Sequence, residues 1–339
     1  MNKFEEDRNY KVKIFVGREP CEINVLEWGD TANGNVLLCL HGLTRSARDF
    51  SVLASFLKNK YRVICPNLVG RGDSSWLKNK ANYHMPFYLL NILVLINELK
   101  LKKADIIGTS LGGVLAMLLS ATHKSFLLDF FTNEQIKKII KNLRPIEIGS
   151  LVLNDVGAKI NFSELSKLKH GIHKLPSSFN DFGEAQLYIK KEFENAFGFH
   201  TDSEWRLLTL AYIRYDERKH CFVPHFDPGI LNPFNVHCYA PHFDPGILNP
   251  FNVSYLLQEY SNNAFGLLPD LNLWKYYDSI SVRTMLLRGK KSSILNHELA
   301  QDMTGRGPKP TLIEFEGVGH APSLMRSEQI NALTSFLCP

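Results

Sequence analysis

Short apolar runs recur along this chain, separated by longer segments whose apolar residues follow a helical period. The main runs are residues 36–40, 61–65, 104–107, 151–153, 281–287 and 311–315. Runs of this length are typical of parallel strands buried on both faces. Ser46 is predicted to cap a helix through Leu57, Pro86 to begin a second helix, and residues 327–337 to form the last. Strands and helices in this alternation predict an α/β fold with a mostly parallel central sheet and helices on both faces.

Residues that carry chemistry follow several of these strands directly. His41 and Gly42 follow the first run, a glycine-rich loop at 66–74 follows the second, and Ser110 and His320 follow two others. Active sites in sheets of this kind lie at the carboxyl ends of the strands. We therefore expect these residues to lie close together.

Ser110 lies in the sequence IGTSLGG, between an apolar strand and an apolar helix. Strand, tight turn and helix form the context of a nucleophile elbow, in which the serine is exposed on a strained turn. Gly108, Gly112 and Gly113 allow strand and helix to approach closely. The N–H groups at the start of the helix face any negative charge that forms beside Ser110. An ordinary glycine-rich turn has the same sequence pattern, so the residues elsewhere in the chain must distinguish between the two interpretations.

Acyl transfer needs a base, an acid that orients the base, and donors for an oxyanion. His320 is the candidate base, because it follows a buried strand in a glycine-rich loop. The backbone N–H groups of Leu43 and Leu111 are the candidate oxyanion hole. His41 is expected to brace its own loop rather than act as a base.

Residues 158–271 show a different pattern, with irregular helices rich in Phe and Tyr and few buried strands. We interpret this segment as a lid inserted into a core formed by residues 1–157 and 272–339. The lid contains a 13-residue repeat, PHFDPGILNPFNV, at 224–236 and again at 241–253. Two identical copies indicate a recent duplication, and the extra copy is predicted to be a surface loop. The duplication itself produces the local density of His and Cys, so no metal site is predicted; these residues are Cys221, His225, His237, Cys238 and His242.

Composition narrows the class of protein further. The chain has 339 residues, 45% hydrophobic and 22% charged, enough for one large domain with an insertion. The net charge of +5 is spread among interleaved acids and bases, so no nucleic-acid partner is predicted. No apolar run is long enough to span a membrane, and the charged N-terminus does not resemble a signal peptide. The six cysteines show no disulfide spacing, and a cytoplasmic location is predicted.

Four motifs in order, LCLHGLT, CPNLVGRGDSSW, IIGTSLGG and FEGVGHAP, resemble those of α/β-hydrolases of the lid-bearing esterase and lactonase type. LVLNDVG and LLRG support the resemblance, which extends over residues 38–322. It implies Ser110 as nucleophile, His320 as base, Leu43 and Leu111 as oxyanion donors, and no cofactor.

The chain departs from that family where the acid is expected. The acid usually follows the strand that ends at Gly289, but Ser293 stands in its place, and Asn67 stands where Asp is common. Three interpretations remain open. In the first, Asp155 is the acid, because it follows the next strand in sequence after the one that carries Ser110. The alternative role for Asp155 is only to cap the entrance to the lid. Alternatively, Ser293 bonds His320 and leaves a slow enzyme, or the chain is inactive.

The leading prediction is hydrolysis of an ester, thioester or lactone through an acyl-Ser110 intermediate. The aromatic residues at 193–199 favour a small substrate with an apolar acyl or aryl group, unless they only form the core of the lid. Two alternatives are hydrolysis of a carbon–carbon bond in a diketone-like substrate and a non-catalytic binding protein with the same fold.

Overall fold

Twelve strands and nine α-helices are found in the computed structural model, which describes residues 4–15, 20–121, 134–161, 164, 172, 174–234 and 271–338. The strands are β1 (Arg8–Ile14), β2 (Cys21–Trp28), β3 (Val36–Leu40), β4 (Arg62–Pro66), β5 (Lys103–Thr109), β6 (Glu147–Asn154), β7 (Lys159–Ile160), β8 (Ile213–Asp216), β9 (Cys221–Pro224), β10 (Leu271–Asn272), β11 (Arg283–Gly289) and β12 (Thr311–Phe315). The helices are α1 (Ser51–Leu57), α2 (Met85–Glu98), α3 (Leu111–Ser120), α4 (Glu134–Asn142), α5 (Phe182–Phe197), α6 (Asp202–Leu210), α7 (Trp274–Tyr277), α8 (His297–Gly305) and α9 (Ser327–Leu337).

Eight strands form one sheet in the order β1-β2-β4-β3-β5-β6-β11-β12. The six strands from β4 to β12 pair in parallel, whereas β1 and β2 pair antiparallel at one edge. All five residues of β3 are buried, as are the last five of β6. The predicted mostly parallel sheet with helices is therefore confirmed, and strands at its centre are buried because both faces are covered.

The segment between β6 and β11, predicted to be a lid, begins and ends in the same place. Its first strand β7 pairs antiparallel with its last strand β10, so that Ile160 lies opposite Leu271. Helices α5 and α6 and the hairpin of β8 and β9 are the other main elements described within it. The pairing of β7 and β10 forms a narrow neck, through which the whole segment connects to the sheet.

The first copy of the repeat packs against the core. Phe226 and Asp227 are both buried, and the backbone N–H of Asp227 donates to the carbonyl of Gly70 at 2.7 Å. The Asp227 carboxylate accepts from the Tyr83 hydroxyl at 2.7 Å and forms an ion pair with Lys80. The second copy, predicted to be a surface loop, lies outside the described residues.

The prediction for Ser46 was wrong in detail. A 3-10 helix, Ala47–Phe50, precedes α1, and the Ser46 side chain makes no cap hydrogen bond. Its hydroxyl donates instead to the carbonyl of Ala211 at 2.7 Å. Ser46 is buried, so its hydroxyl needs a partner, and a carbonyl from the distant α6 end satisfies it.

None of the described helices combines the length and the apolar character that a membrane crossing requires.

Candidate active site

Ser110 occupies the turn between β5 and α3 with φ 52° and ψ −114°, a backbone region that side chains rarely adopt. Its N–H donates to the carbonyl of Asn154 at 3.0 Å, which ties the turn to β6. A Cβ atom on Gly108 would lie 2.3 Å from the carbonyl oxygen of Gly112, and one on Gly112 would lie 2.0 Å from that of Leu40. Only glycine fits at these two positions, so the sharp turn depends on them.

Ser110, His320 and Asp155 form one hydrogen-bonded chain. The Nε2 atom of His320 lies 2.9 Å from Ser110 Oγ, and its Nδ1 atom lies 2.7 Å from Asp155 Oδ2. Asp155 is fully buried, and its other carboxylate oxygen accepts from the N–H of Gly289 at 3.3 Å. The sequence-predicted nucleophile, base and acid thus lie together.

The partners of His320 assign its tautomer. A carboxylate oxygen at Nδ1 accepts a hydrogen bond, so Nδ1 carries the proton and Nε2 is free to accept from the Ser110 hydroxyl. This arrangement allows the ring to remove the serine proton and keeps the resulting imidazolium beside a negative charge. Both ring nitrogens of His320 already have hydrogen-bond partners, so neither is available to Ser293.

The register of two strands explains why Asp155 reaches His320. β6 and β11 are parallel neighbours, with Asn154 opposite Leu287, and the N–H of Asp155 donates to the Leu287 carbonyl at 2.8 Å. Asp155 therefore lies beside the end of β11, the strand after which the acid was first expected. The two acid positions are adjacent in space although they are far apart in sequence.

The loop that contains Ser293 is held by hydrogen bonds from neighbouring side chains to its own backbone. Ser293 is exposed, whereas Ser292 is buried and its hydroxyl accepts from the N–H of Leu295 at 3.3 Å. The carbonyl of Leu295 accepts from Arg288 Nε at 2.7 Å. Of the three interpretations of the missing acid, the geometry supports Asp155.

His41 bonds its own loop, which the sequence predicted, and also the glycine-rich loop after β4, which the sequence did not predict. Its Nε2 accepts from the N–H of Leu68 at 2.9 Å, and its Nδ1 donates to the carbonyl of Gly42 at 2.7 Å. Full burial lowers the pKa of His41 to about 3, and the nearby charges of Arg71 and Arg45 act in the same direction. The ring is therefore neutral at physiological pH.

The bond from His41 also orients the candidate oxyanion donor. The carbonyl of Gly42 and the N–H of Leu43 belong to one trans peptide and point in opposite directions. Because His41 engages that carbonyl, the Leu43 N–H faces away from His41. The carbonyl of Leu43 accepts from Arg71 Nε at 2.7 Å, which holds the next peptide as well. Leu111, the other candidate donor, is the first residue of α3.

Asn67 makes use of both halves of its amide. Its oxygen accepts from the N–H of Ala47 at 2.8 Å, and its nitrogen donates to the Asn24 side-chain oxygen at 2.7 Å. An aspartate would accept the first bond and lose the second. The amide of Asn67 therefore has two hydrogen-bonding partners, of which an aspartate would keep one.

A cavity of about 130 Å³ adjoins Ser110 and His320. Phe193 and Phe197 of α5 and Leu208 of α6 form one side, so the segment predicted as a lid contributes a wall. The other lining residues belong to the loop at 42–45, the Ser110 turn and the loop from His320 on, together with Asp49, Phe50 and Ile172. The lining is mainly apolar, which suits an acyl chain.

Two site residues were missed from the sequence. The Asn154 side chain donates to Thr109 Oγ1 at 3.0 Å and to the carbonyl of Pro322 at 2.9 Å, so it connects the Ser110 turn to the His320 loop. Arg45 lines the cavity and pairs with Asp49 one helical turn later. The polar Asn-Asp pair at the end of β6 and the charged pair after His41-Gly42 were the available signals.

The cysteines and histidines of the repeat region do not assemble a metal site within the described part of the chain, where no group of three or more His, Cys, Asp or Glu side chains has suitable geometry. His225 bonds Asp73 at 3.0 Å, and this hydrogen bond lowers the pKa of the Asp73 carboxyl. His237, Cys238 and His242 lie outside the described residues.

Comparison with known proteins is consistent with this geometry. A family profile for the alpha/beta hydrolase fold matches residues 35–156. The 3-hydroxybutyrate-oligomer hydrolase of Cupriavidus necator is 32% identical over 312 residues, which cover 91% of this chain and 90% of that protein. An alpha/beta hydrolase structure from Novosphingobium aromaticivorans is 25% identical with a TM-score of 0.73, covering 97% of this chain and 98% of that one. The thioesterase domain from the curacin biosynthetic pathway shares the fold alone, at 19% identity and a TM-score of 0.63, with 98% and 100% coverage.

Proposed function

The chain belongs to the α/β-hydrolase family, and from this premise we propose that it hydrolyses esters of short acyl groups through an acyl-Ser110 intermediate. The observation that carries the proposal is the continuous chain from Ser110 Oγ through the His320 ring to the buried Asp155 carboxylate, with contacts of 2.9 and 2.7 Å. Such a chain supplies the nucleophile, the base and the group that orients the base.

In the proposed mechanism, Ser110 Oγ attacks the ester carbonyl carbon while His320 Nε2 takes the hydroxyl proton. The N–H groups of Leu43 and Leu111 stabilise the oxyanion of the tetrahedral intermediate. The C–O bond to the alcohol breaks, and His320 returns the proton to the leaving oxygen. Water, deprotonated by the same nitrogen, then attacks the acyl-enzyme and releases the acid and free Ser110. Asp155 keeps the ring in the tautomer that both steps require.

The size of the cavity supports a short acyl group. An apolar protein cavity of about 150 Å³ accommodates benzene, and the cavity beside Ser110 measures about 130 Å³. An acyl group of roughly six non-hydrogen atoms therefore fits, by the same measure. The related Cupriavidus protein is named for 3-hydroxybutyrate oligomers, and a 3-hydroxybutanoyl group falls within this size. We extend that substrate class, esters of short hydroxy acids, to this chain.

The segment at 158–271 has the role of a lid in this proposal. Phe193, Phe197 and Leu208 place apolar surface over the cavity, and the Ser46 hydroxyl fastens the end of α6 to the core. Apolar cover would exclude water from the acyl group and strengthen the electrostatic effect of the oxyanion donors.

The test is labelling with a fluorophosphonate serine probe, together with turnover of p-nitrophenyl esters of acetate, butanoate and octanoate. Ser110→Ala and His320→Ala are expected to abolish labelling, and the octanoate ester is expected to react slowest. Ser293→Ala is the matched control, because this serine is exposed and lies near the same loops. Circular dichroism establishes that each variant is folded. Labelling that persists in Ser110→Ala would contradict the proposal.

A further inference from the structure

The loop that carries His320, residues 316–326 between β12 and α9, is here named the base loop, and the proposed lid packs against it. The N–H of Gly319, the residue before His320, donates to the carbonyl of Ala196 at 2.9 Å. Ala196 lies in the last turn of α5, where helix carbonyls have no partner within the helix. The end of a lid helix and the residue next to the base therefore satisfy each other.

The two backbones also approach each other closely at this point. A Cβ atom on Gly319 would lie 2.6 Å from the carbonyl oxygen of Asn195, so a side chain does not fit there. The end of α5 and the base loop thus pack backbone against backbone, and a shift of one displaces the other.

Arg326 connects the far end of the base loop to the lid. Its Nη1 donates to the carbonyl of Phe199 at 3.2 Å, and its guanidinium group lies 3.7 Å from the Glu204 carboxylate of α6. Both side chains of this ion pair remain partly exposed, and ion pairs in contact with water contribute little. The buried contacts between Gly319 and Arg326 therefore matter more for holding the loop.

One of these buried contacts is a hydrogen bond between His200 and Ser323, which are 3% and 8% exposed. The Nε2 atom of His200 lies 2.7 Å from Ser323 Oγ, and its Nδ1 atom lies 3.1 Å from the carbonyl oxygen of Gly198. Because a carbonyl only accepts, Nδ1 carries the proton and Nε2 accepts from the Ser323 hydroxyl. Burial lowers the pKa of His200 and so keeps the ring in this neutral form.

The base loop is thus held from two sides just after His320. On the side of the sheet, the Asn154 side chain donates to the carbonyl of Pro322 at 2.9 Å. On the side of the lid, His200 accepts from Ser323, the next residue. Gln329 of α9 lies farther from the same hydroxyl, at 3.4 Å. His320 is only two residues before Pro322, so the position of its ring depends on both attachments.

We infer that His200 is a positioning residue, which accepts from Ser323 and thereby holds the His320 ring where its Nε2 meets Ser110 Oγ. His200 couples the proposed lid to the base, so that a lid displaced from the core leaves the base misaligned. This inference rests on the proposed function, in which His320 takes the serine proton.

The experiment compares His200→Leu with His200→Gln in turnover of p-nitrophenyl butanoate. Leucine fills the buried space but accepts no hydrogen bond, whereas the Gln side-chain oxygen accepts from the same hydroxyl. A misplacement of about 1 Å far from the chemistry can cost about 10²-fold, so kcat is expected to fall about tenfold to a hundredfold in His200→Leu. In His200→Gln, kcat is expected to stay within about threefold. KM is expected to change by less than about threefold in both, because His200 lies outside the cavity wall.

His225→Leu is the matched control. His225 also lies in the proposed lid and bonds the core, through Asp73 at 3.0 Å, away from the base loop. Its loss is expected to change kcat by less than about twofold. In Ser323→Ala protein, His200→Leu is expected to cause no further loss of kcat, because the shared bond is already absent. Urea denaturation of each variant separates a loss of stability from a loss of kcat in the folded protein.

Unchanged kcat in His200→Leu, or a loss equal to that of His200→Gln or His225→Leu, would overturn the inference. Proton NMR separates it from the proposed function. The low-field resonance of the His320 Nδ1–H, which reports its bond to Asp155, is expected to shift or broaden in His200→Leu and to stay unchanged in His225→Leu. That pattern in a protein that hydrolyses no ester would refute the proposed function and leave the role of His200 intact. An unchanged resonance in His200→Leu would overturn that role even in an active esterase.

Discussion

His41 and His320 both follow a buried strand, yet the structure gives them opposite surroundings. The His320 ring lies between a buried carboxylate and a serine hydroxyl. The His41 ring lies between a backbone carbonyl and a backbone N–H. Both rings have two engaged nitrogens, but only His320 faces a group that gains or loses a proton during acyl transfer.

The partner of Nδ1 distinguishes the chemistry of the two histidines, since it is a carboxylate for His320 and a backbone carbonyl for His41. A carboxylate favours the imidazolium form and prepares the ring to take a proton. A carbonyl in a fully buried site fixes the tautomer but provides little compensation for charge, and burial lowers the pKa of His41 to about 3. We therefore propose that His320 transfers protons and that His41 positions the Leu43 peptide.

Substitution of the two histidines separates these roles most strongly. His320→Asn is expected to lower kcat by about 10⁴- to 10⁶-fold, with little change in stability, because the base is lost. His41→Asn is expected to lower kcat by no more than about 10²- to 10³-fold, the cost of one misplaced oxyanion donor.

His41→Asn is also expected to lower the free energy of unfolding by about 1–3 kcal/mol, because two buried backbone groups lose a partner. Ester turnover and urea denaturation measure the two effects. Equal losses of kcat in the two variants would mean that the assigned roles are wrong.

Asp155→Asn tests the partner that distinguishes His320. Loss of the carboxylate is expected to lower kcat by about 10⁴-fold, because an amide favours the wrong tautomer of the ring. Ser293→Asp in the same protein is not expected to restore activity, because Ser293 is exposed. Recovery of kcat in the double variant would show that an acid after β11 can still reach His320.

The pH dependence of stability tests the neutral state of His41. Its folded pKa of about 3 lies below the ordinary value of 6.5, so between these values the unfolded chain binds a proton that the folded chain does not. The contribution of the neutral His41 ring to the free energy of unfolding is therefore complete above pH 6.5, and it is lost as the pH falls toward 3.

Each such proton contributes a slope of about 1.4 kcal/mol per pH unit. Urea denaturation between pH 4.5 and 6.5 is expected to give a shallower slope for His41→Asn than for the unchanged chain. Parallel curves for the two proteins would contradict the assignment of a neutral, buried ring.

Deletion of residues 237–253 should have the smallest effect. The loop that His41 braces also contacts the first repeat copy, since Gly72 donates to the carbonyl of His225 at 2.8 Å. The deletion keeps one full copy and removes the other. The melting temperature is expected to change by less than about 3 °C, since a change of 1 kcal/mol in the free energy of unfolding shifts a domain of 150–250 residues by about 2–4 °C. Ester turnover is expected to change by less than twofold. A large loss in either would assign the second copy a structural role.

The parts of the fold that depend on local pattern could be predicted from the sequence. β3, β12 and α9 have the predicted limits, because burial on both faces of a strand and one face of a helix leaves a clear apolar pattern. The glycines at 108 and 112 identified the turn at Ser110 for the same reason, since close approach excludes other residues.

The parts that depend on distant contacts could not be predicted in full. The sequence left Asp155 as one of three possibilities, because its reach to His320 follows from the register of β6 against β11. The partner of Ser46 is a carbonyl 165 residues away. The contact of the Arg45 guanidinium with the Phe197 ring likewise joins residues that are far apart in the sequence.

The neck formed by β7 and β10 has a consequence for the evolution of this chain. Its paired ends leave the sheet and return beside each other, so the length of the intervening segment is not constrained by the sheet. Closing a flexible loop costs free energy only as the logarithm of its length, so 17 extra residues in a segment of about 110 add about 0.1 kcal/mol. A duplication in this segment is therefore close to neutral when it arises. The neck makes the segment between β7 and β10 a place where new sequence can accumulate and be tested by selection, while the sheet that carries Ser110 and His320 stays unchanged.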